Sequence, residues 1–182
     1  TRDNHIVLSH DPQLDMASSH SGNIGEMTRA ELEKVHLPKG GNYLFLDEFM
    51  IRFEKQHWVF DIKPNTAVQT MSILSEILKN KTALLSKITF LFWNKKIEEN
   101  FLREFPDVTC FAREAVCYHA GIATLCGFPI VSNIQKNKTY AMSPQILGVS
   151  ILNKRIVQTF HQRGAKVIGY LPATPDEIQL CL

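Results

Sequence analysis

The chain lacks most features that would assign a protein to a class at once. Its 182 residues carry 20 basic and 18 acidic side chains, so a net charge of +2 gives no reason to expect nucleic acid or an anionic membrane as partner. No apolar run is long enough to span a bilayer, and no signal-peptide pattern is present. Because the sequence begins with Thr1 rather than methionine, we expect a processed N-terminus or a fragment.

Cysteine is also scarce. The four cysteines form no Cys-x-x-Cys pair, and Cys110 and Cys126 lie in apolar sequence surroundings that are typical of reduced, buried thiols. This favours a reducing compartment, so we expect a cytoplasmic protein, with export as the open alternative.

What the sequence does contain is a regular alternation of strand-like and helix-like segments. Apolar, β-branched or aromatic runs predict strands at residues 6–8, 57–63, 87–93, 108–111, 146–151 and 165–171. Helices are predicted after the capping box of Thr28 and Glu31, then at 46–53, 66–80, 95–105, within 116–128, at 154–163 (closed by Gly164) and at 175–182. Such alternation predicts parallel strands joined by right-handed crossovers.

The length and the missing glycine-rich loops narrow the fold class. No Gly-x-Gly-x-x-Gly or Gly-x-x-x-x-Gly-Lys loop follows a predicted strand, which argues against a nucleotide-binding open sheet. A (β/α)₈ barrel also fits the alternation, but it typically needs about 250 residues and eight strands, whereas this sequence has 182 residues and six predicted strands. We therefore predict one α/β domain over residues 1–182, a (β/α)₈ TIM barrel that is incomplete at both ends.

Asp61 and Lys63 are the first candidates for a functional site. They stand two residues apart on a predicted strand, so they share a face while Ile62 points the other way. Opposite charges near the end of a strand are costly to bury unless they bind something. The pair fits a functional site in which Asp61 binds a cation and Lys63 binds an anion. It fits equally well a salt bridge at a solvated rim.

His10 and Asp11 follow the first predicted strand. Imidazole titrates near neutral pH and can act as a general acid or base. The same His-Asp-Pro sequence is common in turns, where the aspartate accepts backbone N–H bonds. Ser9 lacks the Gly-x-Ser-x-Gly elbow of a hydrolase nucleophile.

Three further side chains follow predicted strands or end them. Arg113 comes just after the fourth strand and suits either a phosphate contact or a plain surface position. Trp93 and Tyr170 end strands and fit either a pocket wall or the core.

Five segments are informative because of their order and separation. They are Thr1-Arg-Asp-Asn-His-Ile-Val-Leu-Ser-His-Asp-Pro-Gln-Leu-Asp15, Thr28-x-x-Glu31-Leu32, Leu46-Asp-Glu-Phe49, Phe60-Asp-Ile-Lys63 and Gln162-Arg-Gly-Ala-Lys-Val167. Together they closely resemble the motifs of the glycerophosphodiester phosphodiesterase family, which has a phosphatidylinositol-phosphodiesterase-like TIM barrel. In that family the first four read Val-x-x-His-Asp-x-x-Leu, Thr-x-x-Glu-Leu, Thr-Leu-x-Glu and Glu-Ile-Lys.

The resemblance implies a metal-assisted hydrolase that cleaves glycerophosphodiesters, which are small molecules, to an alcohol and glycerol 3-phosphate. His10 would be one of two acid/base histidines, and Asp61 would bind a divalent cation, Mg²⁺ or Ca²⁺. Lys63 would act in catalysis and bind the substrate phosphate. From its own position after the fourth strand, and not from the resemblance, we expect Arg113 to take part in binding the substrate. A hard cation would neutralise the phosphoryl oxygens.

The sequence also departs from the family pattern. The family's first histidine, in a His-Arg-Gly strand, and its Glu-x-Asp metal ligands would lie upstream of Thr1. Asp61 replaces a glutamate, and Tyr170-Leu-Pro-Ala173 stands where Trp-Thr-Val-Asn is usual. Residues 1–182 alone are therefore expected to be inactive. Two alternatives stay open, namely a non-catalytic barrel that binds phosphate esters or a protein partner, and a phospholipase D-type lipid hydrolase.

Overall fold

An antiparallel pair of short strands organises the N-terminal part of the chain. The computed structural model describes residues 1–14, 22–37, 40–146 and 149–181. Its first elements are β1 (Val7–Leu8), α1 (Arg29–Leu32), β2 (Leu44–Phe45) and α2 (Leu46–Arg52). The capping box of Thr28 and Glu31 is confirmed at α1. The expectation that β1 would join a parallel sheet is wrong, because β1 pairs with β2 in the antiparallel direction.

A three-stranded parallel sheet follows, with helices between its strands. The elements are β3 (Trp58–Ile62), α3 (Ala67–Lys79), β4 (Ile88–Phe92), α4 (Lys95–Glu104) and β5 (Thr109–Cys110). The strands lie in the order β3, β4, β5, and both pairings are parallel. The strand–helix alternation predicted from the sequence is confirmed here.

The C-terminal part adds a second parallel pair and a small hairpin. Its elements are α5 (Glu114–Leu125), β6 (Thr139–Met142), β7 (Gln145–Ile146), β8 (Val149–Ser150), α6 (Lys154–Gln162), β9 (Lys166–Gly169) and α7 (Pro175–Cys181). β6 pairs with β9 in parallel, and a parallel bridge between Phe111 and Thr139 connects this pair to β5. Five parallel strands therefore follow one another, in the order β3, β4, β5, β6, β9.

One strand was predicted in the wrong place. The strand predicted at 146–151 is instead an antiparallel pair of β7 and β8, not a strand of the parallel series, and its residues 147 and 148 lie outside the described part of the chain. The parallel strand is β6, which has no clear sequence signal because only Thr139 of its four residues is β-branched. Tyr140 in this strand is nonetheless fully buried, so packing decides its conformation.

The described strands form sheets that are not closed into a barrel. The fold class α/β is confirmed by the alternating elements, and closure into eight strands stays a prediction. Within the described ranges, no helix is long and apolar enough to cross a membrane.

The parallel strands are held by apolar side chains on the face that meets the helices. Phe90 of β4 lies 4.8 Å, between ring centroids, from Phe101 of α4, which lies 4.9 Å from Phe105. Each aromatic contact of this kind contributes roughly 0.5–1.5 kcal/mol beyond area burial. A second cluster joins β6 to α6 through Tyr140 and Phe160, whose centroids are 4.9 Å apart.

Gly164 ends α6 with φ of 73°, as the sequence predicted for a C′ glycine. A Cβ at this position would meet Lys136 Cγ at 2.9 Å. Glycine is therefore favoured here by backbone conformation, and a larger residue would also have to displace the Lys136 side chain.

The cysteines differ sharply in burial. Cys110 and Cys117 are buried, and burial raises the pKa of each thiol to about 11. Cys126 is exposed, so the expectation that it is buried is wrong. It directly follows α5 and precedes Gly127, whose φ of 84° turns the chain.

We predict that iodoacetamide at pH 8 alkylates Cys126 of the native chain while Cys110 and Cys117 stay unmodified, as read by peptide mass spectrometry. The thiolate is the reactive form, and a folded pKa of about 11 against an ordinary 9.0 leaves little of it. This burial contributes stability that is fully present below about pH 9 and is lost as pH rises towards 11. Equal labelling of the three cysteines before unfolding would contradict the described core.

Candidate active site

Asp61 lies at the carboxyl end of the parallel sheet and accepts hydrogen bonds from two strands. Lys63 Nζ donates to Asp61 Oδ2 at 2.7 Å, and Trp93 Nε1 donates to Asp61 Oδ1 at 2.7 Å. Residues 61 and 91 are register partners in β3 and β4, so Trp93 comes level with Lys63 just beyond the strand ends. The carboxylate is therefore held by one cation and one neutral donor.

The side-chain alternation predicted for this strand is confirmed. Ile62 is buried in the apolar cluster between sheet and helices, while Asp61 and Lys63 lie on the opposite face. The Asp61 and Lys63 side chains are each 34% exposed, so the ion pair sits at a solvated rim. A pair so placed adds little to stability, and its ammonium stays accessible to an anion.

His10 follows β1 in a turn that Ser9 and Asp11 stabilise. Ser9 Oγ donates to the Asp11 carbonyl at 2.9 Å, and His10 Nδ1 lies 3.1 Å from Asp11 Oδ1. The His10 side chain is 85% exposed. Because Asp11 engages Nδ1, Nε2 is the ring nitrogen left to face a ligand.

His10, Asp61 and Lys63 come together at the boundary between two cavities, since all three line both of them. The first cavity has a volume of about 570 Å³ and lies between the N-terminal segment and α3. Its polar lining includes Asn65 and Gln69, together with the hydroxyls of Ser9, Thr66 and Thr70.

The second cavity has a volume of about 420 Å³ and opens at the ends of β4, β5, β6 and β9. Trp93, Phe111, Tyr118, Tyr170 and Leu171 are among its lining residues. Burial raises the pKa of Tyr170, and the neighbouring Tyr118 and Glu114 raise it further. Of the two positions that the sequence leaves open for Trp93 and Tyr170, both residues take the pocket wall.

Arg113 lies elsewhere. Its Nε donates to Glu98 Oε2 at 2.6 Å, and Lys138 Nζ lies 3.5 Å from the other oxygen of this buried glutamate. Arg113 is outside the linings of both these cavities. Its predicted contact with substrate gains no support from this position, and its contact with Glu98 ties α4 to the start of α5.

Two features of the site were not predicted from the sequence. The hydrogen bond from Trp93 to Asp61 depends on the register between two strands, which no local pattern reveals. His5 lines the first cavity, where its Nδ1 lies 3.1 Å from the Asp3 carbonyl. The only sequence signal for a role of His5 is its position two residues after Asp3 of the opening motif.

The metal-binding capacity of the described residues is small. In the described part of the chain, no three His, Cys, Asp or Glu side chains lie close enough together to bind a metal ion. Asp61 is a lone carboxylate whose charge is already matched by Lys63. A hard cation takes six or more oxygen ligands, so these residues do not form such a site by themselves.

Comparisons with known structures support the fold. The glycerophosphoryl diester phosphodiesterase domain of a Mycobacterium tuberculosis protein is 15% identical, with a TM-score of 0.77 over 99% of this chain and 77% of that one. A glycerophosphodiester phosphodiesterase from Agrobacterium tumefaciens is 11% identical, with a TM-score of 0.60 over 98% and 73%. A glycerophosphoryl diester phosphodiesterase from Parabacteroides distasonis is 19% identical, with a TM-score of 0.61 over 97% and 62%. At identities below 20%, these TM-scores show a shared fold and no more.

A comparison with curated proteins gives no match. The model of the glycerophosphoryl diester phosphodiesterase family matches residues 1–182, the whole length of the sequence. The motifs at His10 and Lys63 and the likeness to solved structures agree with this match. The chain belongs to the glycerophosphoryl diester phosphodiesterase family.

Proposed function

We propose that this site hydrolyses glycerophosphodiesters to an alcohol and glycerol 3-phosphate. The observation that carries the proposal is the meeting of His10, Asp61 and Lys63 at the boundary shared by two cavities. A phosphodiester bound there would have its phosphate at the charged rim and one arm in each cavity. Family membership supports the same reaction class.

Lys63 would bind a non-bridging phosphate oxygen. Its side chain is one-third exposed and is held at the rim by Asp61, whose other oxygen accepts from Trp93. Charge-assisted hydrogen bonds to phosphate are the stronger kind, and a fixed donor needs no reorganisation when charge develops. Asp61 and Trp93 would thus hold Lys63 in place.

His10 would move a proton to or from a bridging oxygen. As an acid, its imidazolium would protonate the departing alkoxide, and as a base it would accept a proton from the attacking oxygen. Asp11 on Nδ1 would stabilise the charged ring and leave Nε2 for this transfer. Attack and departure occur on opposite sides of phosphorus, so a second acid/base group is needed. The family's first histidine has no counterpart in this sequence, and we propose that residues 1–182 alone bind a diester without turning it over.

We further propose that Asp61 supplies one oxygen ligand to Mg²⁺ or Ca²⁺ in the natural protein. Such a cation would neutralise phosphoryl charge when bound. Because the described residues offer a single carboxylate here, other groups would have to complete the site.

Calorimetric titration of the natural protein with MgCl₂ and CaCl₂ tests this assignment. Asp61→Asn keeps the shape and removes the charge, and we expect it to weaken cation binding by about tenfold or more. Asp107→Asn, at an exposed aspartate outside both cavities, is the control and should bind as the wild type does. Equal cation affinity in Asp61→Asn and wild type would remove Asp61 from the metal site.

Turnover of glycerophosphocholine by the natural protein tests the reaction, with release of glycerol 3-phosphate as the readout. His10→Ala should lower kcat by about 10²–10⁴, the usual contribution of a positioned acid or base. His57→Ala is the matched control, because His57 is exposed at the opposite end of β3 and outside both cavities, so its activity should stay at the wild-type level.

Glycerophosphodiester hydrolysis and non-catalytic binding of phosphate esters give different results in this assay. Full activity in His10→Ala would refute the role of His10. If the natural protein binds glycerol 3-phosphate but releases none from any glycerophosphodiester, the chain is a non-catalytic phosphate-ester binder.

A further inference from the structure

The two cavities at the charged rim have different linings. A phosphodiester carries one substituent on each side of phosphorus, so a phosphate at Lys63 would send one arm into each cavity. Both cavities have apolar walls, but the first adds the amides of Asn65 and Gln69 and several hydroxyls, which suit the hydroxyl groups of a glycerol arm. The second cavity would then receive the other arm.

The second cavity is walled by aromatic and aliphatic side chains away from the rim. Those side chains are Leu91, Trp93, Phe111, Tyr118, Ile151, Ile168, Tyr170 and Leu171. Beyond His10, Asp61 and Lys63, the charged lining is limited to Glu114 among the described residues. Ligand pockets with such walls bind apolar groups, and a polyhydroxylated head group would find few partners in this one.

Leu171 gives the strongest indication that the apolar wall serves a ligand. It has φ of 53°, in the left-handed region that a leucine rarely occupies, and it is 80% exposed at the cavity. Because the Leu171 side chain is exposed, packing in the core does not offset the cost of this backbone conformation. Residues held in this way cluster at ligand sites, where the strain is offset by what they position.

Tyr118 extends the same surface from α5. It is partly exposed, and Ile122 and Leu125 follow it at helical spacing with their side chains exposed as well. An apolar strip therefore continues from the cavity along the outside of α5. Its length suits a chain of several carbons better than a small head group.

We propose that the second cavity binds the alcohol arm of the diester and that this arm is an apolar chain, which makes the substrate an amphiphilic glycerophosphodiester. The proposal rests on the proposed function, because Lys63 must hold the phosphate between the cavities. It goes further in naming Tyr118, Tyr170 and Leu171 as the residues that determine specificity for the alcohol.

Two synthetic diesters that share glycerol 3-phosphate and differ only in an ethyl or an octyl ester provide the test. Their dissociation constants are measured by calorimetry with the natural protein carrying His10→Ala, so that hydrolysis does not interfere. Burial of six more methylenes should make octyl binding about tenfold tighter or more. In Leu171→Ser this preference should fall to about threefold or less, because the wall becomes polar.

Ile51→Ser is the matched control. Ile51 is 77% exposed on α2 and lies outside both cavities, so this variant should keep the wild-type preference for octyl. Equal affinity for the two diesters, or an unchanged preference in Leu171→Ser, would overturn the proposal. Hydrolysis of the ethyl diester by the protein with His10 intact reports on the proposed function separately.

Discussion

The register between β3 and β4 is the constraint on which the site depends. Side chains alternate along a strand, so this register places Asp61, Lys63 and Trp93 on the same face of the sheet and at the same end. A slip of one residue would send each side chain of the moving strand to the opposite face. The aromatic packing of Phe90 and Phe92 against α4 opposes such a slip, since both rings must remain on the helix side.

The N-terminal segment brings His10 to the same edge by a different route. The Leu46 amide donates to the Ile6 carbonyl at 2.9 Å, which ties β1 to the start of α2, and α2 packs through Leu46 and Met50 into the cluster under β3. Asp3 accepts from the Arg29 amide at 3.0 Å and so fixes the loop before β1 to α1. His10 therefore reaches the rim through an antiparallel pair, whereas Lys63 reaches it through the parallel sheet.

Much of this could be predicted from local sequence, and the exceptions have physical causes. The strand at Asp61 and the capping box at Thr28 follow from alternation and side-chain chemistry within a few residues. β6 was missed because its strand state comes from the burial of Tyr140 and not from propensity. The contacts of Trp93 with Asp61 and of Arg113 with Glu98 join residues from different elements, which only tertiary packing specifies.

Binding of glycerol 3-phosphate measured by calorimetry tests the central claim most directly, namely that the rim at Lys63 is a phosphate site. Lys63→Met keeps the aliphatic stem and removes the ammonium, and Lys55→Met is the control at an exposed lysine outside both cavities. The account predicts that Lys63→Met weakens binding by about tenfold or more while Lys55→Met binds as the wild type does. Equal affinity in the wild type and Lys63→Met would contradict it.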